Sequence, residues 1–122
     1  MNIILLSPND HWLDDHSVLL RDERALHICD VLKANVGVHL RVGLRDGLQG
    51  QGEVQSIQAG VVHLTVELHE PPPPRHRFDL VLALPRPKML RRIFRAVAEF
   101  GVSNLYLINS ARVEKSYWQS PL

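Results

Sequence analysis

At 122 residues, with 45% apolar and 22% charged side chains, the chain has the composition of a folded globular protein and not of a disordered one. Its formal net charge of +1 gives no reason by itself to expect nucleic acid, and no apolar run approaches the roughly 20 residues that span a bilayer. The length fits one domain or two small ones.

Met1-Asn2-Ile3-Ile4-Leu5-Leu6 is apolar but lacks a basic flank and breaks at Ser7-Pro8, so it reads as a first strand and not as a signal peptide. A helix is predicted over 23–34, with Asp22 as N-cap, Leu26, Cys29 and Leu32 on one face, Ile28 and Val31 close beside it, and Gly37 as the stop. Cys29 is the single cysteine; without a disulfide partner it reads as an inert core thiol of a cytoplasmic protein. Val38, Leu40 and Val42 alternate with His39 and Arg41, and Val62, Leu64, Val66 and Leu68 alternate with His63, Thr65 and Glu67, which is the period of half-buried strands. A shorter strand at 53–58 lies between them, bounded by turn signals at Asp46-Gly47 and Ala59-Gly60. Short strands with one helix predict a small, partly closed β-barrel over 1–70.

Pro71-Pro72-Pro73-Pro74 cannot join a helix or a central strand, so 71–77 reads as a stiff linker. Beyond it, 78–84 is nearly continuous apolar sequence, the pattern of a strand covered on both faces. Pro85-Arg86-Pro87-Lys88 then opens a helix that sorts by angle. Lys88, Arg92, Arg95 and Glu99 form one stripe with Arg91 at its edge, and Met89, Ile93, Val97 and Phe100 lie opposite, flanked by Leu90 and Phe94. Arg95 and Glu99 are spaced to pair at i, i+4. Gly101 is placed to end the helix, and 104–108 reads as the next strand. A strand–helix–strand unit begins a parallel α/β sheet and does not finish one, so 78–122 is expected to be the start of a second domain.

Charge is concentrated there. Arg75, Arg77, Arg86, Lys88, Arg91, Arg92 and Arg95 fall in a stretch whose single acid is Asp79, and Arg112 and Lys115 follow. Such a surface fits a polyanion, or it is a solvated helix face. Arg86 and Lys88 stand where a strand's carboxyl end meets a helix start; cations there oppose the helix dipole unless an anion binds. Arg112, after the second strand, is a candidate for bidentate phosphate or carboxylate binding, with Glu114 as its competing partner. In the first domain Lys33 and Arg41, with Arg21 and Arg24 nearby, are candidates for the same surface or are simply solvated. The seven histidines show no metal-ligand spacing, and no phosphate loop, nucleophile elbow or nucleophile–base pair is present, so no catalytic residue is assigned.

Several segments, in order, resemble the 16S rRNA (uridine-N3) methyltransferases of the SPOUT superfamily. His27-Ile28-Cys29-Asp30-Val31-Leu32-Lys33 is similar to that family's His-hydrophobic-x-x-Val-Leu-Arg segment, with Lys33 in place of Arg. Lys88, Ala98-Glu99-Phe100-Gly101-Val102 and Ser110-Ala111-Arg112 are similar to its Lys, its Glu-Leu-Gly-Val helix end and its Ser-Glu-Arg segment; Phe100 and Ala111 depart from the pattern. The resemblance implies a PUA-like β-barrel that binds rRNA, then a SPOUT domain with a trefoil knot. It also implies S-adenosylmethionine as cofactor, a homodimer, and the small ribosomal subunit as partner. Nothing like the family's glycine-rich cofactor loop occurs, so the chain is expected to supply the amino-terminal, RNA-gripping portion. A stand-alone, non-catalytic RNA-binding module is the alternative.

Overall fold

The computed structural model describes residues 3–121, which divide into two compact units at Pro72 and Pro73. The first contains β1 (Ile4–Leu6), β2 (His11–Asp14), β3 (Ser17–Leu20), α1 (Glu23–Leu26) with a continuing π-helical turn (His27–Val31), β4 (His39–Leu44), β5 (Gln49–Gln58) and β6 (Val61–Glu70). These strands form one mixed sheet in the order β1-β4-β5-β6-β3-β2, with β1 parallel to β4 and every other pair antiparallel. Ile4, Val18, Leu20, Val42, Val54, Val62, Leu64 and Val66 come from five strands and share one core with Ala25 and Ile28. For that to happen the sheet must curl around the helix, and it forms a half-barrel. The alternation expected in β4 and β6 is present: Val42, Val62, Leu64 and Val66 are buried while His39 and Arg41 are exposed. Val38 precedes β4 and stays exposed.

Three features of this unit differ from the sequence reading. The β2–β3 hairpin was not foreseen, because four-residue strands are too short to show a period. β5 begins four residues earlier than expected, within Gln49-Gly50-Gln51-Gly52. Its glycines mark close approach rather than a loop: a Cβ on Gly50 would lie 1.9 Å from the Glu67 carbonyl oxygen, and one on Gly52 would lie 2.9 Å from Val42 Cγ1. The helix is also shorter than 23–34. It winds into a π turn in which the Leu32 amide donates to the His27 carbonyl at 2.9 Å, and it ends at Lys33, whose φ of 49° is left-handed; Gly37 is not the stop. Ala25 and Ile28 therefore face the core, Cys29 and Leu32 pack at its margin, and Leu26 and Val31 are exposed.

The hydrogen-bonded order stops at β1 and β2, and side chains tie β1 and the loop after it to the helix start. Trp12 Nε1 donates to the Ser7 carbonyl at 2.8 Å. Arg24 grips Asp10 with two bonds of 2.8 Å, reaches Asp22 at 2.6 Å and donates to the Leu5 carbonyl at 2.7 Å. Asp22 also caps α1 by accepting from the Arg24 amide at 2.9 Å. Arg24, grouped above with a possible nucleic-acid surface, is instead committed to holding the edge strand and the helix start together.

The second unit contains β7 (His76–Ala83), α2 (Pro87–Phe100), β8 (Val102–Ile108) and a short α3 (Lys115–Trp118). β7 and β8 pair in parallel, with Leu80 opposite Leu105, Leu82 opposite Leu107 and Ala83 opposite Ile108. Gly101, at φ 62°, closes α2 as expected. α2 lies against β8, with Leu90 buried and Ile93 and Val97 half-buried. Met89 and Phe100, placed on the apolar face from their angles, are exposed, because the buried stripe centres on Leu90, Ile93 and Val97. β7 is not covered on both faces. Val81, Tyr106 and Ile108 share an open face on which Asp79 accepts from Asn104 Nδ2 at 2.9 Å.

The Arg24 network gives the fold a pH dependence. Its hydrogen bonds to the guanidinium hold the carboxyls of Asp10 and Asp22 below the ordinary carboxylate range, against the desolvation that opposes them. Groups with depressed folded pKa values contribute stability above their unfolded pKa, and that contribution is lost as pH falls through the folded value. Arg24→Met is expected to cost about 2 kcal/mol at neutral pH in urea unfolding, since Asp10 would remain largely buried without its partner. The gap between variant and wild type should close as pH falls below the ordinary carboxylate range. A gap independent of pH would locate the loss in packing instead.

Candidate nucleic-acid interface

The β7–α2 connection assembles the densest charge. Pro87 occupies the first turn of α2, where its missing N–H costs nothing, and Arg86 occupies the N-cap. A guanidinium has no acceptor, so no side chain caps this helix, and its first turn carries no acid. α1 shows the ordinary arrangement, with an Asp22 cap and Glu23 in the first turn. At α2 the polarity is reversed: Lys88 stands in the first turn, and Arg91, Arg92 and Arg95 continue along the exposed side. Among the described residues no ion pair engages these cations, and the expected Arg95–Glu99 pair is not formed.

Arg86, Lys88, Met89 and Arg92 line a cleft of about 260 Å3 at this end of α2. Arg86 Nε donates to the Tyr117 hydroxyl at 3.3 Å. That hydroxyl, and after it the charge of Glu114, holds the guanidinium above its already high pKa, so Arg86 keeps its proton throughout the physiological range. α3 was not foreseen from sequence, being a single turn, yet it brings Tyr117 and Trp118 to the carboxyl edge of the sheet. Trp118 Nε1 donates to Asn109 Oδ1 at 3.4 Å, just past the end of β8. The adjacent aromatic pair within a polar tail was the available signal. Arg112 lies exposed in the segment between β8 and α3 and does not line the cleft.

In the first unit, Lys33 is exposed where the π turn ends, and Arg41 is exposed on β4, sharing a shallow cleft with Gln49, Gln51, His69 and Glu70. These two cations do not line a common cleft. Among the described residues no group of three His, Cys, Asp or Glu side chains is placed to hold a metal ion. Guanidinium and ammonium donors around an uncapped helix start form an anion site suited to phosphate.

No protein-family model matches the chain. Over 123 aligned residues, covering all of this chain and 46% of the relative, it is 30% identical to the Ribosomal RNA small subunit methyltransferase E of Treponema pallidum. The chain is homologous to part of an rRNA methyltransferase. It spans about half the length of the curated relative it matches. The fold is shared with a Ribosomal RNA small subunit methyltransferase E from Neisseria gonorrhoeae solved bound to S-adenosyl methionine. That match has TM-score 0.72 and 13% identity, over 95% of this chain and 48% of the other. A Legionella pneumophila protein solved with bound SAM matches with TM-score 0.65 and 14% identity, over 95% of this chain and 50% of the other.

The reversed polarity of α2 predicts a trade of stability against binding. Lys88→Glu places an acid at the dipole's positive end and is expected to raise thermal stability by a few tenths of a kcal/mol. The same change should weaken binding of inorganic phosphate or RNA. A variant that gained stability and bound RNA unchanged would show that Lys88 faces only solvent.

Proposed function

We propose that this chain is the RNA-gripping, amino-terminal portion of an S-adenosylmethionine-dependent methyltransferase that modifies N3 of a uridine in 16S rRNA. The observation that carries the reading is the homology along the whole chain to a small-subunit rRNA methyltransferase. The exposed cations of α2 give that reading its interface. In this proposal the first unit is a PUA-like RNA-binding domain and 78–122 begins a SPOUT domain whose knotted part lies elsewhere in the full protein. The functional form is then a cytoplasmic homodimer acting on the small ribosomal subunit. Arg86, Lys88, Arg91, Arg92, Arg95 and Arg112 contact phosphates, with Lys33 and Arg41 as further contacts from the first unit.

The cleft at the start of α2 does not fit the cofactor. S-adenosylmethionine carries a sulfonium cation, and Arg86, Lys88 and Arg92 surround the cleft with like charge. Its volume of about 260 Å3 also falls below the usual range for a ligand of that size. In this proposal the part of the chain is to hold RNA, and N3 must lose its proton before it attacks a methyl group.

Reversing Arg91, Arg92 and Arg95 to Glu tests the interface. Affinity for a 16S rRNA fragment, read by fluorescence anisotropy, should fall at least about tenfold, and the slope of log affinity against log salt should flatten by about two. Unchanged affinity and slope would leave α2 a solvated face. In the same preparation, titration with S-adenosylmethionine should release no heat of binding; micromolar binding would overturn the placement of the cofactor site outside this chain.

A further inference from the structure

We propose that Trp118 is a base-stacking platform, so that the carboxyl edge of the β7–β8 sheet holds one unpaired nucleotide with its base on the indole and its phosphate among Arg86, Lys88 and Arg92. The proposal rests on the RNA-binding reading above and specifies which form of RNA this edge takes.

Trp118 is 49% exposed although it is the largest apolar side chain of the second unit. Its ring is tethered as well as exposed, because Nε1 donates to Asn109 Oδ1 at 3.4 Å, immediately after β8. Even a long hydrogen bond favours one ring orientation, so less rotamer freedom is lost when a base lies on the indole. Tyr117, the preceding residue, reaches the other strand's end through its hydroxyl contact with Arg86 at 3.3 Å. One turn of helix thus ties both strand ends together and hangs an open aromatic face from the residue next to the one that positions Arg86. Arg86, Lys88 and Arg92 share the cleft beyond that contact.

This combination matches the way single strands are held, with cations tracking the backbone and an aromatic ring receiving a base. A base inside a duplex has no free face to offer, so an edge of this kind selects unpaired nucleotides. Glu114 lies close enough to Arg86 to stabilise its charge, and it is the acid a phosphate must share that guanidinium with. The apolar flank of the cleft, Met89, is 47% exposed and lies beside the cations, where it can rest against a ribose or a second base.

The test compares a short oligouridylate with an RNA duplex of equal length, binding the full chain, with tryptophan emission and affinity both recorded. The single strand should quench emission in the wild type and bind more tightly than the duplex. Trp118→Ala should lose about tenfold in single-strand affinity with the salt slope unchanged, whereas Trp118→Phe should recover most of that affinity while losing the quench. Arg92→Ala should do the opposite, lowering the salt slope while quenching persists. If Trp118→Ala binds the single strand as tightly as wild type while the arginine reversals still weaken binding, the stacking platform is overturned and the RNA-binding reading stands. If the wild type binds neither RNA, both fall.

Discussion

Parallel pairing of β7 with β8 is the constraint from which the interface follows. Two parallel strands cannot be joined by a tight turn, so the chain must cross back, and here it does so through α2. The crossing carries the helix start to the same edge at which β8 ends. Pro85–Lys88 and the segment after Ile108 are thereby neighbours, although more than twenty residues separate them in sequence. The Leu84 amide bond to the Ile108 carbonyl, at 3.0 Å, locks that edge, and the Arg86–Tyr117 contact builds upon it. The placing of Tyr117 against Arg86 and of Trp118 against Asn109 depends on the two strand ends being level.

The first unit solves a different problem, that of an open mixed sheet. Its curl depends on strands approaching closely at Gly50 and Gly52, where any side chain would collide with backbone or with Val42. One guanidinium ties an edge-strand carbonyl, a loop carboxylate and the helix cap together. Such a network is costly to disturb, because each partner is left with unmet hydrogen-bonding needs when Arg24 is removed. The two helix starts also define each other. α1 has a side-chain cap in Asp22 and an acid, Glu23, in its first turn, while α2 has neither and carries Arg86 and Lys88 at its start. A local departure of this kind, in a fold otherwise consistent, is why the proposed phosphate contacts are placed at this helix start.

The open face of the β7–β8 sheet belongs with these observations. Val81, Tyr106 and Ile108 present apolar surface there, and the strand pattern that predicted burial on both sides is met on one. The relatives that this chain matches are about twice its length.

Much of the architecture was legible because it rests on local rules. The alternation in β4 and β6 follows from strands with one face on a core, the four prolines exclude regular structure, and Gly101 supplies the left-handed residue that ends α2. The cationic stripe of α2 was equally legible, since 3.6 residues per turn places Lys88, Arg92 and Arg95 together whatever the surroundings. Other features depend on residues distant in sequence. That Gly50 and Gly52 lie in a strand is decided by Glu67 and Val42, which crowd them. That Arg24 is structural and not a nucleic-acid contact is decided by Asp10 and the Leu5 carbonyl. That Tyr117 and Trp118 lie at the carboxyl edge of the β7–β8 sheet is decided by Arg86 and Asn109. Sequence by itself determined the longer strands, the amphipathic helix of the second unit and where charge is concentrated, because those properties repeat along the chain. Only the tertiary structure decided which charges are consumed within the fold and which remain for a partner, because that depends on contacts between residues far apart in sequence.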